Sequence, residues 1–232
     1  MGIAENIAEI RARMSRAAEG AGRSPSDIML LGASKINDAA ACRAAIAAGI
    51  DALGENRVQE MTQKIAEHAY DGKPLHFIGH LQKNKVRQVV GRVELIHSID
   101  SIELLHEVDK CAKKLGIVQD VLLEVNIGME ESKSGFDYDA VKPALDEADS
   151  LQGARVCGLM AIPPISSESG ENTPYFEKMR DLFVDIRPHL LHNSSKIYLS
   201  MGMSDDFEDA IAAGSTLIRV GTAIFGHRNY NI

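Results

Sequence analysis

One lysine of this chain stands where its amine could form a bond with an aldehyde. Lys35 follows the apolar run 30–33 after a single serine, at a point where a buried strand is expected to end. Burial penalises the charged ammonium and favours the neutral amine, which is the form that attacks an aldehyde to give an imine. Most lysines are solvated surface residues, and position alone leaves that interpretation of Lys35 open.

Two loops near the end of the chain carry hydroxyl groups and glycines that suit a phosphate. The first loop begins at Ser200 and reads SMGMSDD, and the second contains Arg219, Gly221 and Thr222. A serine and a glycine-rich backbone ahead of a helix supply hydroxyl and N–H donors to an anion. In the second loop, Gly221 permits close approach of the backbone and Thr222 adds a hydroxyl. A helix-capping turn is an alternative interpretation of the first loop.

Polar side chains also lie at the ends of the second and third apolar runs. Asn56 belongs to the sequence GENR after the second run, where a helix N-cap and a functional role are both consistent with it. The third run leads into HFIGHLQKNK, which contains His76 and His80. No third ligand accompanies these histidines in the sequence, so the pattern does not predict a metal site.

The elements that position these residues follow a repeating pattern of apolar runs and helical stretches. An amphipathic helix comes first and is expected to end near Gly20. The apolar runs cover residues 28–33, 51–54, 75–78, 94–99, 121–127, 154–161, 197–199 and 216–220. The helical stretches between them cover residues 39–48, 58–68, 83–90, 102–115, 138–148, 175–190 and 207–213. Short buried runs that lead into helices are typical of parallel strands in βαβ units.

Eight such units predict an α/β fold, a single (β/α)₈ TIM barrel with an extra N-terminal helix, as one domain over residues 1–232. An open doubly wound sheet is the alternative, although no G-x-G-x-x-G follows the first run. In barrels the site lies at the C-terminal strand ends, and phosphate commonly binds after strands seven and eight. Strand one neighbours strand eight, so Lys35 should meet the two loops. A lysine amine beside a phosphate cradle indicates pyridoxal 5′-phosphate, the cofactor that combines an aldehyde with a phosphate.

Composition excludes several other classes of protein. The formal charge is −8, and nucleic acid binding calls for a concentrated basic surface, so no nucleic acid partner is predicted. Cys42, Cys111 and Cys157 lie far apart and suggest neither a disulfide framework nor a zinc site, which favours a reducing, cytoplasmic compartment. The N-terminal 20 residues contain no apolar signal segment, and no apolar run is long enough to span a membrane.

A series of motifs in one order resembles a known family. The motifs are GASK at residues 32–35, GEN at 54–56, HFIGHLQ at 76–82, LSMGMSDD at 199–206 and RVGTAIFG at 219–226. They are similar to those of the YggS/PROSC-type pyridoxal phosphate homeostasis proteins, which look like the fold-type III barrel of alanine racemase without its second domain. Two positions depart from the family pattern, because Ile36 stands where a threonine is common and Arg57 where a tyrosine is common.

The resemblance implies a set of residues that bind the cofactor: Lys35, Asn56, Ser200, Arg219, Gly221 and Thr222. It implies that Lys35 holds pyridoxal 5′-phosphate as a Schiff base, that Ser200, Gly221 and Thr222 hold the phosphate, and that Asn56 lies near the ring. Arg219 would lie close to the pyridine nitrogen or the phosphate. An arginine at that nitrogen would discourage its protonation and weaken the ring as an electron sink.

Three functions are consistent with these features. The first is a pyridoxal phosphate homeostasis protein that buffers or delivers the cofactor to apoenzymes, acts as a monomer and has no turnover of its own. The second is a pyridoxal-phosphate-dependent amino-acid racemase or decarboxylase, which needs a second acid or base such as His80 or His227. The third is an aldolase that uses the lysine without a cofactor. A weaker second cofactor site would involve Lys133 or the pair Lys83 and Lys85, for which a solvated basic surface is the alternative.

Overall fold

Eight parallel strands close into a barrel in chain order, and β8 pairs with β1. The structure is a computed structural model, and it describes residues 2–130, 133–165, 168 and 170–226. The strands are β1 Met29–Ala33, β2 Ala52–Glu55, β3 Leu75–Phe77, β4 Leu95–Ile99, β5 Gln119–Val125, β6 Ala154–Ala161, β7 Tyr198–Ser200 and β8 Leu217–Val220. The helices are α1 Ile3–Gly20, α2 Ala39–Ala47, α3 Val58–Ala66, α4 Ile102–Leu115, α5 Val141–Ala148, α6 Thr173–Asn193, α7 Phe207–Ala212 and α8 Thr222–Phe225. The predicted barrel is therefore confirmed, and the open sheet is excluded.

One predicted helix takes a different form. The stretch predicted at residues 83–90 is a 3₁₀ helix over Lys83–Gln88, and it ends before Gly91, whose φ of 76° reverses the chain. The β-branched Val86 and Val89 are three residues apart and both buried. A 3₁₀ helix places residues three apart on the same side, so this geometry buries both valines under one short segment.

The extra N-terminal helix packs on the outside of the barrel. Ile7, Ile10 and Met14 form its buried stripe, at the spacing of three and four that an amphipathic helix requires. This helix contacts α2, α7 and α8, the helices that follow the first strand and the last two. It therefore covers the sector of the barrel in which β8 meets β1.

The barrel interior has its own small core, separate from the layer between sheet and helices. Apolar side chains from alternate strand positions fill it, including Leu31, Leu95, Leu122 and Leu217. Two residues further along the same strands, the buried polar side chains of His97 on β4 and Arg219 on β8 lie toward the C-terminal strand ends. No helix among the described residues has the length and hydrophobicity that a membrane crossing requires.

Candidate functional site

A cavity of about 340 Å³ opens at the C-terminal ends of β1 and β8 and beside the loop after β7. Its volume falls within the range of small-molecule sites, roughly 300–1,000 Å³. Its lining residues are Ala33, Lys35, Ile36, Asn37, Met203, Ser204, Asp205, Arg219, Gly221, Thr222, Phe225 and Gly226. Four of the six residues predicted to bind the cofactor are therefore brought together: Lys35, Arg219, Gly221 and Thr222.

The pairing of β1 with β8 explains why these residues meet. Gly32 pairs with Val220, so both strands end at the same level and their loops begin side by side. A Cβ atom built on Gly221 would lie 3.4 Å from the carbonyl oxygen of Ala33. The backbone at Gly221 thus lies against the strand end that carries Lys35, as the barrel predicted.

Arg219 is a buried cation at the wall of this cavity. Its side chain is 5% exposed, and its guanidinium donates to the carbonyl oxygens of Ser200 at 2.8 Å and Ala161 at 3.0 Å. Burial lowers the pKa of Arg219 to about 10, which still leaves it charged at neutral pH. No carboxylate of the described chain lies within ion-pair distance of it. A ligand that accepts a hydrogen bond or carries negative charge would therefore relieve a costly buried charge.

Ser200 lies behind Arg219 and does not line the cavity. Its fully buried hydroxyl accepts from the Arg219 guanidinium at 2.6 Å and pairs with Nδ1 of His97 at 3.0 Å. Nε2 of His97 then pairs with Nδ1 of His76 at 3.0 Å. Burial lowers the pKa of His76 to about 3 and that of His97 well below its ordinary value, so both rings are neutral. This polar chain holds Arg219 in place, and it occupies the hydroxyl that the sequence had assigned to a phosphate.

Ser204, in the same loop as Ser200, lines the cavity. The chain turns sharply at Gly202, whose φ is 91° and where a Cβ would lie 2.6 Å from Cβ of Ala210. After this turn Ser204 lines the cavity, and its hydroxyl oxygen accepts from the N–H of Ala223 at 3.3 Å. Ser204 thus joins the loops after β7 and β8, whereas the N-cap of α7 is Asp206.

Asn56 lies beside β3 and carries a buried acceptor. Its Oδ1 has no hydrogen-bond partner in the described part of the chain. The backbone of Gly79 comes so close that an added Cβ would lie 2.2 Å from the carbonyl oxygen of Asn56. The N-cap residue of α3 is Arg57, so the capping interpretation of Asn56 is not supported. Buried acceptors are normally satisfied, so the Oδ1 of Asn56 can still accept a hydrogen bond from a ligand that reaches it.

The other candidates of the sequence analysis have different surroundings. His80 is largely exposed and pairs with Asp100 at 3.2 Å, and His227 lies outside the described residues. Lys133 donates to the carbonyl oxygen of Pro163 at 3.1 Å, and Lys83 is exposed. Lys85 is half-buried, so Lys133 and the pair Lys83 and Lys85 stay alternative candidates for a second site.

One acidic residue of the barrel mouth was missed by the sequence analysis. Glu124 lies on β5, where burial first and then the charge of Asp100 raise its pKa to about 7, while the charge of Arg219 opposes the shift. The only signal in the sequence is a carboxylate inside an apolar run, which does not say whether the side chain points into the barrel.

Comparisons with known proteins agree with this geometry. The family model for the alanine racemase N-terminal domain matches residues 3–229. A pyridoxal phosphate homeostasis protein of Aquifex aeolicus is 41% identical over 230 residues, which cover 99% of this chain and 100% of that protein. One of Pseudomonas aeruginosa is 42% identical over 230 residues, which cover 98% of this chain and 96% of that protein.

A solved structure of a relative is also similar to this chain in three dimensions. PipY of Synechococcus elongatus PCC7942, solved with PLP bound, is 34% identical and superposes with a TM-score of 0.82 over 97% of this chain and 100% of PipY. Identity of this extent over the full length of the relatives confirms the family that the motifs indicated. The chain belongs to the pyridoxal phosphate homeostasis proteins, a family built on the barrel of the alanine racemase N-terminal domain.

Proposed function

We propose that this protein binds pyridoxal 5′-phosphate covalently on Lys35, and that it buffers or delivers the cofactor inside the cell without turnover of its own. The observation that carries the proposal is the shared cavity, in which the half-buried Lys35 lies with the buried cation Arg219 and the hydroxyl groups of Ser204 and Thr222. The names of the relatives, and the cofactor in the PipY structure, support the same ligand.

The residues present fit this cofactor group by group. When bound, pyridoxal phosphate supplies an aldehyde that a lysine amine can bond and a ring that can accept electrons. Lys35 provides the amine, Ser204 and Thr222 provide hydroxyl donors for the phosphate, and Gly221 lets the backbone approach it. The unsatisfied Oδ1 of Asn56 fits a polar group of the ring.

Arg219 provides the argument against turnover. A guanidinium stays protonated at any physiological pH, so beside the ring nitrogen of the bound cofactor it would donate a hydrogen bond to that nitrogen and disfavour a proton there. A ring nitrogen without a proton makes the ring a weaker electron sink. Arg219 is itself held by the carbonyl oxygens of Ser200 and Ala161, so it cannot turn away from the cavity without breaking those bonds.

A racemase or decarboxylase is the second candidate, and Glu124 is the observation that favours it. A carboxyl group with a pKa of about 7 is poised for general acid–base work. Exchange of the α-proton with deuterated solvent would establish a racemase and release of carbon dioxide a decarboxylase, for any of a panel of amino acids, if Glu124→Gln abolished the reaction. We expect no exchange above the rate of free pyridoxal phosphate.

The first experiment is the absorption spectrum of the purified protein with pyridoxal phosphate. Wild type should develop the band of a lysine-linked cofactor, and borohydride should fix the cofactor on the peptide that contains Lys35. Lys35→Ala should lose both signals, whereas the control Lys114→Ala, at an exposed lysine of α4, should keep them. A band that survives in Lys35→Ala, or a label found elsewhere on the chain, would reject Lys35 as the attachment site.

The proposal extends to partners and surroundings. We propose a monomer of one domain over residues 1–232 that meets pyridoxal-phosphate-dependent apoenzymes transiently in the cytoplasm. All three cysteines are buried and unpaired, which supports a reducing compartment. Light scattering tests the monomer. Transfer is tested by adding loaded protein to an apoenzyme in the presence of a scavenger of free cofactor, which should not suppress activation.

A further inference from the structure

We infer that Lys64 is a positioning residue that aims Lys35 into the cavity, through a buried charged cluster formed with Glu55 and Glu60. This inference rests on the proposed role of Lys35. Lys64 and Glu60 lie on α3, Glu55 ends β2, and none of the three lines the cavity. The cluster acts on the backbone on both sides of Lys35.

The ammonium of Lys64 is fully used within this cluster. Its side chain is 6% exposed. It donates to the backbone carbonyl oxygen of Ser34 at 2.8 Å, to Oε1 of Glu55 at 2.7 Å and to Oε1 of Glu60 at 2.7 Å. An ammonium has three donors, so no proton remains for another partner. One of the three bonds fixes the peptide group that precedes Lys35.

The peptide group that follows Lys35 is held by the same cluster. Oε1 of Glu60 accepts from the N–H of Ile36, and the side-chain amide of Asn37 donates to the carbonyl oxygen of Lys35 at 3.1 Å. The hydroxyl of Ser34 donates to Oε1 of Glu55 at 2.7 Å. Because hydrogen bonds hold the peptide groups on both sides of Lys35, the direction of its Cα–Cβ bond is fixed.

Ile36, the residue after Lys35, has a strained backbone conformation that its surroundings must maintain. Ile36 has a φ of 68°, in the left-handed region that a β-branched residue rarely adopts. Such a conformation costs on the order of 1–3 kcal/mol and persists only where surrounding contacts impose it. Two described contacts accompany this conformation: the turn bond from Asn37 N–H to the carbonyl oxygen of Ser34 at 3.1 Å, and the bond from Ile36 N–H to Glu60, whose carboxylate is held by Lys64.

The charges of the cluster also favour a directional role. Burial lowers the pKa of Lys64, but hydrogen bonds and charges from Glu55 and Glu60 outweigh it, so the pKa is raised and the ammonium persists. Buried ion pairs are often no more stabilising than apolar side chains of the same volume. Stability alone therefore does not require charged side chains at these positions. Orientation of the two peptide groups does require a donor and an acceptor, which Lys64 and Glu60 supply.

The test separates covalent attachment from binding. The variants are Lys64→Met, Glu60→Ala and the conservative Glu60→Gln, which keeps an acceptor for Ile36. The control is Asp109→Asn, because the buried Asp109 carboxylate accepts from the N–H groups of Gln152 and Gly153 and has no contact with the lysine segment. The readouts are the rate of covalent attachment of pyridoxal phosphate, the affinity for 4-deoxypyridoxine 5′-phosphate, which lacks the aldehyde, and amide hydrogen exchange of residues 34–37 without ligand.

The expected pattern is specific to positioning. Lys64→Met and Glu60→Ala should speed exchange at Ile36 and slow attachment by about ten- to a hundredfold, the effect of misplacing a reacting group by ~1 Å. Both should bind the aldehyde-free analogue as wild type does. Glu60→Gln should recover most of the rate, and Asp109→Asn should lose stability but not rate.

Two results would overturn the inference. One is an unchanged attachment rate in Lys64→Met and Glu60→Ala, and the other is an equal loss for both ligands. Should Lys64→Met fail to fold, the partly exposed Glu60 still decides the question. If wild type itself forms no covalent attachment, the proposed function fails instead, a result distinct from either of these.

Discussion

Replacing either of two serines by alanine should separate the phosphate contact from the support of Arg219. Ser204 lines the cavity and Ser200 does not, although both belong to the loop that the sequence assigns to the phosphate. We expect Ser204→Ala to weaken binding of the phosphate group and Ser200→Ala to weaken the fold. The two substitutions remove the same chemical group four residues apart, so each is the control for the other.

The magnitudes follow from what each hydroxyl contacts. A hydrogen bond to a charged group contributes about 1.5–3 kcal/mol, so Ser204→Ala should raise the Kd for pyridoxal phosphate roughly 10- to 150-fold. The Ser200 hydroxyl is fully buried between Arg219 at 2.6 Å and His97 at 3.0 Å. Its removal leaves buried polar groups short of a partner, which should lower the free energy of unfolding by about 1–3 kcal/mol.

Two measurements are needed: the Kd of each variant for two ligands, and its unfolding in urea. Pyridoxal lacks the phosphate, so the ratio of its Kd to that of pyridoxal phosphate isolates the phosphate contact. Ser204→Ala should reduce this ratio, and Ser200→Ala should leave it near the wild-type value. Urea unfolding without ligand should show the opposite order, with a lower midpoint for Ser200→Ala and little change for Ser204→Ala.

One result would refute this reasoning. If Ser200→Ala abolished the preference for the phosphorylated ligand while Ser204→Ala kept it, then Ser200 would hold the phosphate as the sequence suggested. The geometry would then have to change on binding, because the Ser200 hydroxyl would have to leave Arg219 to reach the cavity.

Two further predictions concern the barrel around the site. Burial and Asp100 raise the pKa of Glu124 from 4.5 to about 7, so the native state keeps a proton that the unfolded chain releases. The contribution to stability is therefore present below pH 4.5 and lost as pH rises to about 7. Urea unfolding should show a loss of at most ~3 kcal/mol over this range, which Glu124→Gln removes. Gly79→Ala should destabilise the protein and weaken cofactor binding, because its Cβ would lie 2.2 Å from the carbonyl oxygen of Asn56, whereas Gly20→Ala meets open space and should be tolerated.

The fold could be predicted because its signal is local and repeated. The run predicted at 154–161 and the helix predicted at 102–115 match β6 and α4 to the residue. The strand shows as a continuous apolar run and the helix as apolar positions three and four residues apart, and eight repeats of such units define a closed barrel. The 3₁₀ segment Lys83–Gln88 was wrongly predicted as an α-helix because valines three apart suit both kinds of helix.

The sequence predicts which loops form the site, but not which residue of a loop lines the cavity. The motif SMGMS contains two serines, and the choice between them depends on the turn at Gly202, which leaves Ser200 inside the barrel and brings Ser204 to the cavity. Lys64 was missed for a related reason. Glu60 and Lys64 have the spacing of an ordinary exposed helical pair, and nothing local indicates that the buried Glu55 on another element meets them.

The two hydrogen-bond networks behind the cavity have no residue in common within the described chain. One runs from Arg219 through Ser200 to His97, and the other joins Lys64 to the backbone around Lys35. Residues that share no partner usually make independent contributions. Under the proposed function, the contacts with the ring and phosphate would therefore persist while the bond to Lys35 is made or broken. The proposed delivery of the cofactor would need this independence, because release by transfer would require the covalent bond to break before the rest of the cofactor leaves.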